Sequence, residues 1–462
     1  MTPRTLFDSS LAHLREGFSG AIHTPEDEGY DEARAVFNGM IDRRPALIAQ
    51  CASAEDVASA LRCARAEELE IAVRGGGHSV AGMASSEGGL VVDLRLMHEV
   101  TVDREARTAR VGGGATMSHL DRATQPFALA TTGGRASTTG VGGFTLGGGS
   151  GWLERKFGLA CDNLLAAEVV TADGSTVRAS AEENPDLFWA LRGGGGNFGV
   201  ATSLTLRLHE LPAMSMALVL FRPEDGPPAV TAFRDLMASA PDEAGGGCLY
   251  LTGPPEAFVP EQLVGKPVCG VLITWAGTEA GVRDVAAPLL DLPHESEMIA
   301  ELPYADLQCM LDDPPGMRNY WSAEYLGGFP DEAVAAFCAT ADAMPVPSGS
   351  QHILFPLGGA VASGPADLPV RWRSSPWVVH PFGIWEDPAD DTHARNWVHE
   401  ARAGVRPWAD DAVYLNFIGQ EGHERVVAAY GEENYARLAG VKRRYDPDNM
   451  FRLNHNIEPA AA

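Results

Sequence analysis

The sequence predicts an α+β protein of two domains, and three observations carry this. The 462 residues exceed what one simple core usually organises. Up to about residue 210, short β-like runs alternate with stretches of helical periodicity. Glycine, 51 residues in all, is concentrated between 74 and 200. Near 211 the texture changes: glycine runs thin out, and proline-bounded strands and helices alternate. The expected division is 1–210, 211–410 and 411–462, the last segment returning to the first domain.

Taken in order, residues 1–45 read as a polar lead-in with short helices. Ala46 to Ala49 is a small strand. Ser53 and Asp56 form a capping pair before Val57, Leu61 and Ala64, which recur at helical spacing to about Ala66. Ile71 to Val73 and Leu90 to Leu94 are strands on either side of Arg74-Gly75-Gly76-Gly77-His78-Ser79. Val100 to Val102 and Ala109 to Val111 flank a charged turn as in a hairpin. A helix follows from Met117 to Gln125.

The run from Gly133 to Gly151 reads as one long functional loop, since Val141, Phe144, Leu146 and Trp152 argue against disorder. Asp173-Gly174 turns a hairpin between Ala166 to Thr171 and Thr176 to Ala179. Asn184-Pro185 caps a helix that ends at Gly193, and Val200 to Leu208 alternates as a strand. Farther on, Val268 to Trp275, His352 to Leu357 and Trp377 to Ile384 read as strands. Arg283 to Leu290 and Glu332 to Ala343 read as helices.

Composition narrows the function. The chain is 45% apolar and 21% charged, as ordinary globular proteins are, and carries a net charge of −27. That charge argues against nucleic acid and against an anionic membrane, both of which reward a basic face. Seven cysteines are scattered without a CxxC or a Cys/His cluster, so no metal site is expected and the thiols read as reduced and cytoplasmic. The first residues show neither a signal peptide nor a membrane span.

The glycine runs are the chemical signal. Without a Cβ, backbone amides approach a ligand closely and form a bare cradle suited to phosphate. Several familiar phosphate and catalytic motifs fail. Gly140-Val141-Gly142-Gly143-Phe144-Thr145 ends in threonine where a Rossmann fingerprint needs glycine. No Walker lysine follows any glycine run, and there is no HExxH. Gly77-His78-Ser79-Val80-Ala81 has alanine where a hydrolase elbow needs its second glycine, which leaves a Ser79 hydrolase as the different-class alternative.

Four stretches together resemble the berberine-bridge-enzyme-like FAD-linked oxidases of the vanillyl-alcohol-oxidase superfamily. They are Arg74 to Ser79, Ser137 to Trp152, Asn184 to Gly199, and Tyr445 to Ile457. The resemblance implies a PCMH-type FAD-binding domain plus a substrate domain whose antiparallel sheet, covered by helices, lies over the flavin. It implies FAD bound covalently through His78, with Arg74, Gly75, Gly76, Gly77 and Ser79 around it. No second cysteinyl bond is expected, because Ala136 stands at that position; Cys161 reads as a core thiol. Ser137, Thr138, Gly140, Gly143, Gly147, Gly148 and Gly149 would line the pyrophosphate, ribityl chain and ring edge. Gly199 and Val200 would meet the adenine end, and Asn416 and Asn456 the flavin ring.

On the reacting side the resemblance places Thr139 near the flavin face and Tyr414 as base or orienting residue. A tyrosine has an ordinary pKa near ~10, too high for an efficient base without a neighbouring cation. Tyr250, Tyr320, Trp321 and His352 are candidates for the substrate wall. Phe417 and Ser322 stand where the family often has tyrosine and lysine. The expected activity is hydride removal from a C–H next to oxygen or nitrogen of a secondary metabolite, with O2 reduced to H2O2. A flavin-dependent oxygenase acting on a polyketide-type intermediate is the alternative. The expected partners are a small-molecule substrate and O2, in a monomer or homodimer.

Overall fold

The structure, a computed structural model, describes residues 3–461. Its first sheet has four strands. Leu47–Gln50 and Ile71–Arg74 both run parallel to Leu90–Asp93, and Ala21–His23 pairs antiparallel at one edge. The parallel pairing follows from a helical crossover, Ala54–Ala66, between the first two of those strands. Ser53 Oγ accepts from the Asp56 amide at 3.1 Å, so the expected cap forms. Val57, Ala60, Leu61 and Ala64 are buried on one face of this helix against the sheet.

A second, antiparallel sheet has the order Val100–Asp103, Thr108–Gly112, Val200–Arg207, Leu164–Val170, Thr176–Ser180. Two local expectations change here. The run from Gly133 to Gly151 is not one loop: it contains a helical turn, Val141–Leu146, which buries Val141, Phe144 and Leu146. Asn184 precedes the helix Pro185–Leu191 but makes no capping bond. Its side chain donates to Arg178 O and accepts from the Tyr445 hydroxyl instead.

A third sheet of eight antiparallel strands spans Ser215 to Trp385. Side chains alternate across it, so successive residues enter different cores. Along Gln351–Pro356, Leu354 joins the core under the helices Gly226–Ser239, Glu279–Leu290, Asp331–Ala341 and Asp391–Val405. Ile353 and Phe355 join the core shared with the first part of the chain. Strand Ala244–Thr252 needs glycine at 247, because an added Cβ would sit 3.0 Å from the Phe355 ring.

The end of the chain packs back on the glycine-rich part. Lys442, on helix Glu432–Tyr445, is wholly buried and donates to Asn197 O, Phe451 O and Asp446 Oδ2, each at 2.8 Å. Asp446 also accepts from the amides of Met450 and Phe451. All three ammonium donors of Lys442 are therefore used, and both Asp446 oxygens accept. No helix among the described residues is long and apolar enough to cross a membrane.

Candidate active site

A cavity of about 390 Å³ lies between the glycine runs and the third sheet. One wall is backbone: Gly75, Gly76, Gly77, Gly140, Gly142 and Gly143, then Gly193 to Gly196 and Gly199. The other is side chain: Trp321, Ile353, Phe355 and Phe382. Tyr414, Asn416, Asn454 and His455 from the end of the chain complete it. At Gly76 the first two glycine runs touch, and an added Cβ would stand 2.3 Å from the Gly140 nitrogen. Gly143 and Gly196 are the opposite case: a Cβ there would meet nothing within 4 Å, so bare backbone faces open space.

His78 stands on this wall. Its Nε2 is 2.8 Å from Thr138 Oγ1, and its ring stacks on Phe37 with centroids 4.0 Å apart. Surrounding protein lowers its pKa to about 4 by desolvation, which the nearby Asp312 carboxylate only partly offsets. The imidazole is therefore neutral at pH 7, as a nitrogen nucleophile must be. Ser137 is tied back, its amide and Oγ donating to Asp312 at 2.7 and 2.6 Å. Thr139 and Gly147 line the cavity, and Asn416 Nδ2 donates to Gly143 O at 3.3 Å.

Several expected contacts are displaced by one layer. Arg74 does not face the cavity: it is buried beneath the loop, paired with Asp93 at 2.8 Å and donating to Ala33 O at 2.5 Å. Ser79 lines the cavity, but its Oγ accepts from the Met83 amide, and no imidazole or carboxylate is bonded to it. Gly148 and Gly149 pack against Trp372, Tyr414, Phe144 and Ala160 instead of lining the space. Val200 begins a strand and is buried in the first sheet's core. Asn456 is not on the wall either, whereas its neighbours Asn454 and His455 are. Cys161 is fully buried, and burial pushes its thiol pKa up, as a core cysteine requires.

Tyr414 reaches the cavity, but its surroundings do not suit a base. Its hydroxyl accepts from Gly149 N at 3.0 Å and from Asn416 Nδ2 at 2.9 Å. Burial still pushes the phenol well above its ordinary value, so it stays protonated and holds loop and ring in place.

Of the four substrate-wall candidates only Trp321 lines the cavity. Tyr250 and His352 are register partners on the opposite face, where both pack against Phe337 under the helices. His352 Nε2 there meets Thr340 Oγ1 at 3.0 Å. Tyr320, next to Trp321, turns to His399 and Arg395 of the helix Asp391–Val405. A strand aromatic read without its parity falls on either face equally often.

Sequence reasoning missed Asn197, His455, Arg135 and Asp313, which all line the cavity. Asn197 donates to Gly194 O and accepts from the Ile457 amide, both at 2.9 Å, and so joins the third glycine run to the chain end. Its position inside Gly193 to Gly199 was a usable signal. Arg135 pairs with Glu154 at 2.7 Å and lies over the Phe355 ring. Nothing local distinguishes it from a surface arginine.

An extended cradle of bare backbone, a neutral histidine and an opposing aromatic sheet define an FAD-linked oxidoreductase with a PCMH-type FAD-binding fold. Comparisons with known proteins agree. An FAD binding domain model matches residues 45–180, and a model described as berberine and berberine like matches 413–458. (R)-6-hydroxynicotine oxidase of Paenarthrobacter nicotinovorans is 34% identical over 456 residues, covering 95% of this chain and 97% of its own. The FAD-linked oxidoreductase pgmH of Aspergillus terreus is 30% identical over 495 residues, covering 98% and 97%. The crystal structure of 6-hydroxy-D-nicotine oxidase from Arthrobacter nicotinovorans superposes with a TM-score of 0.86 at 30% identity, over 96% of this chain and 99% of that one. The chain belongs to the berberine-bridge-enzyme-like family of FAD-linked oxidases.

Proposed function

We propose that the protein is an oxidase with a single histidyl bond to FAD, acting on a compact aromatic amine or alcohol of the secondary-metabolite kind. The carrying observation is one cavity bounded by the His78 glycine loop on one side and by an apolar sheet face on the other. When bound, FAD supplies the two-electron acceptor for a C–H next to nitrogen or oxygen, with O2 as the final acceptor and H2O2 as product.

The residues present fit FAD. Gly75 to Gly77, Gly140 and Gly143 offer backbone to a pyrophosphate, and Gly196, Asn197 and Gly199 extend the same bare surface. His78 keeps a neutral ring whose Nε2 is engaged with Thr138. Ala136 also lines the cavity and offers no thiol for a second bond. Trp321, Ile353, Phe355 and Phe382 exclude water and favour a flat apolar substrate. The two side chains on the wall able to carry a full charge at neutral pH are Arg135, already paired with Glu154, and Asp313. Such a wall suits a small ring system better than a sugar chain, which would need many hydroxyl partners. Similarity over nearly the whole of both chains to an enzyme named for hydroxynicotine supports a nitrogen-bearing ring.

The test is direct. The purified protein should be yellow, and the colour should stay with the acid-precipitated polypeptide in wild type but not in His78→Ala. With a panel of aromatic amines and alcohols, peroxide should equal oxygen consumed. Release of all flavin from the wild type on denaturation refutes the covalent bond, and oxygen incorporated into product refutes the oxidase.

A further inference from the structure

Among the described residues, His380 is the one side chain with two buried polar atoms that both lack a hydrogen-bond partner. It lies on strand Trp377–Trp385, two residues before Phe382, and pairs in register with Ile353. Both Phe382 and Ile353 line the cavity, and strand parity puts His380 on that same face. The residue is completely buried, and neither ring nitrogen has a hydrogen-bond partner. A neutral imidazole carries one donor and one acceptor, and folded proteins seldom leave both unmade. His352, on the opposite face of the neighbouring strand, bonds Thr340 through Nε2 and leaves only Nδ1 without a partner.

What separates His380 from the cavity is one layer of rings. Its imidazole lies 3.9 Å from the Phe382 centroid and 4.0 Å from that of Phe417. Both phenylalanines are only partly buried, and both line the cavity. Phe417 follows Asn416, whose amide touches Gly143 O on the opposite wall, so the histidine sits close to where that wall and the sheet converge. Burial, aided by the charge of Arg135, lowers its pKa and keeps it uncharged, so donor and acceptor are both retained. Two of the neighbouring polar groups are already committed, the Tyr414 hydroxyl to Gly149 and Asn416, and Arg135 to Glu154 and Ser150, while the Trp321 Nε1 and Asn454 Oδ1 atoms on the wall are single unpaired atoms.

We propose that His380 is the polar anchor of the substrate site, reached when the Phe417 or Phe382 ring turns aside, and that it bonds a hydroxyl or amine carried by an aromatic substrate. No bond is made or broken in this step; the imidazole exchanges an unmade hydrogen-bonding pair for one made with the ligand. The proposal takes its ligand chemistry from the oxidase reading.

The experiment uses the purified holoenzyme with phenol as probe. Wild type, His380→Leu and His380→Gln are compared for flavin content, Tm, and phenol affinity by the shift of the visible spectrum. His380→Leu should keep its flavin and melt no lower than wild type, because no bonded polar group is removed. It should bind phenol at least tenfold more weakly, and His380→Gln should recover part of that loss. Unchanged phenol affinity in His380→Leu overturns the proposal. So does a Tm lowered in His380→Leu and restored in His380→Gln without recovery of affinity, which marks a structural role. Failure of a yellow wild type to bind phenol overturns the anchor but leaves the oxidase reading standing. If the wild type binds phenol through His380 yet oxidises no member of the panel, the anchor stands and the oxidase reading fails. For a colourless preparation the phenol titration is read by the Tm shift.

Discussion

Tyr250 and Trp321 look alike in the sequence, each an aromatic in an apolar strand, yet one is core and the other is cavity wall. The difference is one of parity, and parity requires knowing which sheet face meets the glycine runs. Tyr250→Phe should therefore leave flavin content unchanged, and kcat and KM within about twofold, because its hydroxyl has no partner to lose. Trp321→Ala, which opens the wall, should raise KM for aromatic substrates about tenfold or more, at a cost of about 3–5 kcal/mol in stability for a buried aromatic. The place of His78 on the cavity wall was legible for the reverse reason. Its setting is a contiguous motif, and bare amides beside an imidazole are complete within six residues.

Among the elements, the glycine runs were the most readable and the third sheet the least. A run of glycine needs no distant partner to announce an approach of backbone to ligand. Gly76→Ala should show how tight that approach is: the added methyl meets the Gly140 amide at 2.3 Å. We expect a loss of about 1–3 kcal/mol in stability together with a lower flavin content, read by chemical denaturation and by absorbance. The short helix Val141–Leu146 escaped notice because glycine is a poor helix former, and tertiary packing of Phe144 and Leu146 overrides that propensity. Lys442 likewise reads as one more charge on a basic helix end. Only the fold shows it buried on three acceptors. Lys442→Ala strands the Asp446 carboxylate and should cost about 3–5 kcal/mol. Adding Asp446→Asn to Lys442→Ala should recover part of it, measured by urea unfolding.

For the whole molecule, acid is the informative stress. His209 and His455 have pKa values lowered to about 4, and His352 to about 3, all chiefly by burial. An unfolded chain titrates these groups near ~6.5. Between those values the unfolded state binds protons that the native state refuses, so stability is full above about 6.5 and falls as pH drops toward 4. Each such histidine contributes up to about 1.4 kcal/mol per pH unit in that window. Melting temperature measured from pH 8 to pH 4.5 should decline steeply below pH 6.5. Replacing His352 by the similarly sized, uncharged Gln should flatten the decline; an unaltered slope would show that His352 does not carry it.

The order in which the cavity is assembled has a consequence for biosynthesis. The first and third glycine runs lie more than a hundred residues apart, and the segment that joins Asn197 to Phe451 and Ile457 follows some 245–260 residues after Asn197. A chain that has not yet reached Phe451 and Ile457 lacks the partners that hold Asn197 and the third glycine run in place. Flavin uptake should therefore follow the docking of that late segment. Chains truncated after Met450 should emerge folded in part, colourless, and open to proteolysis at the exposed glycine runs.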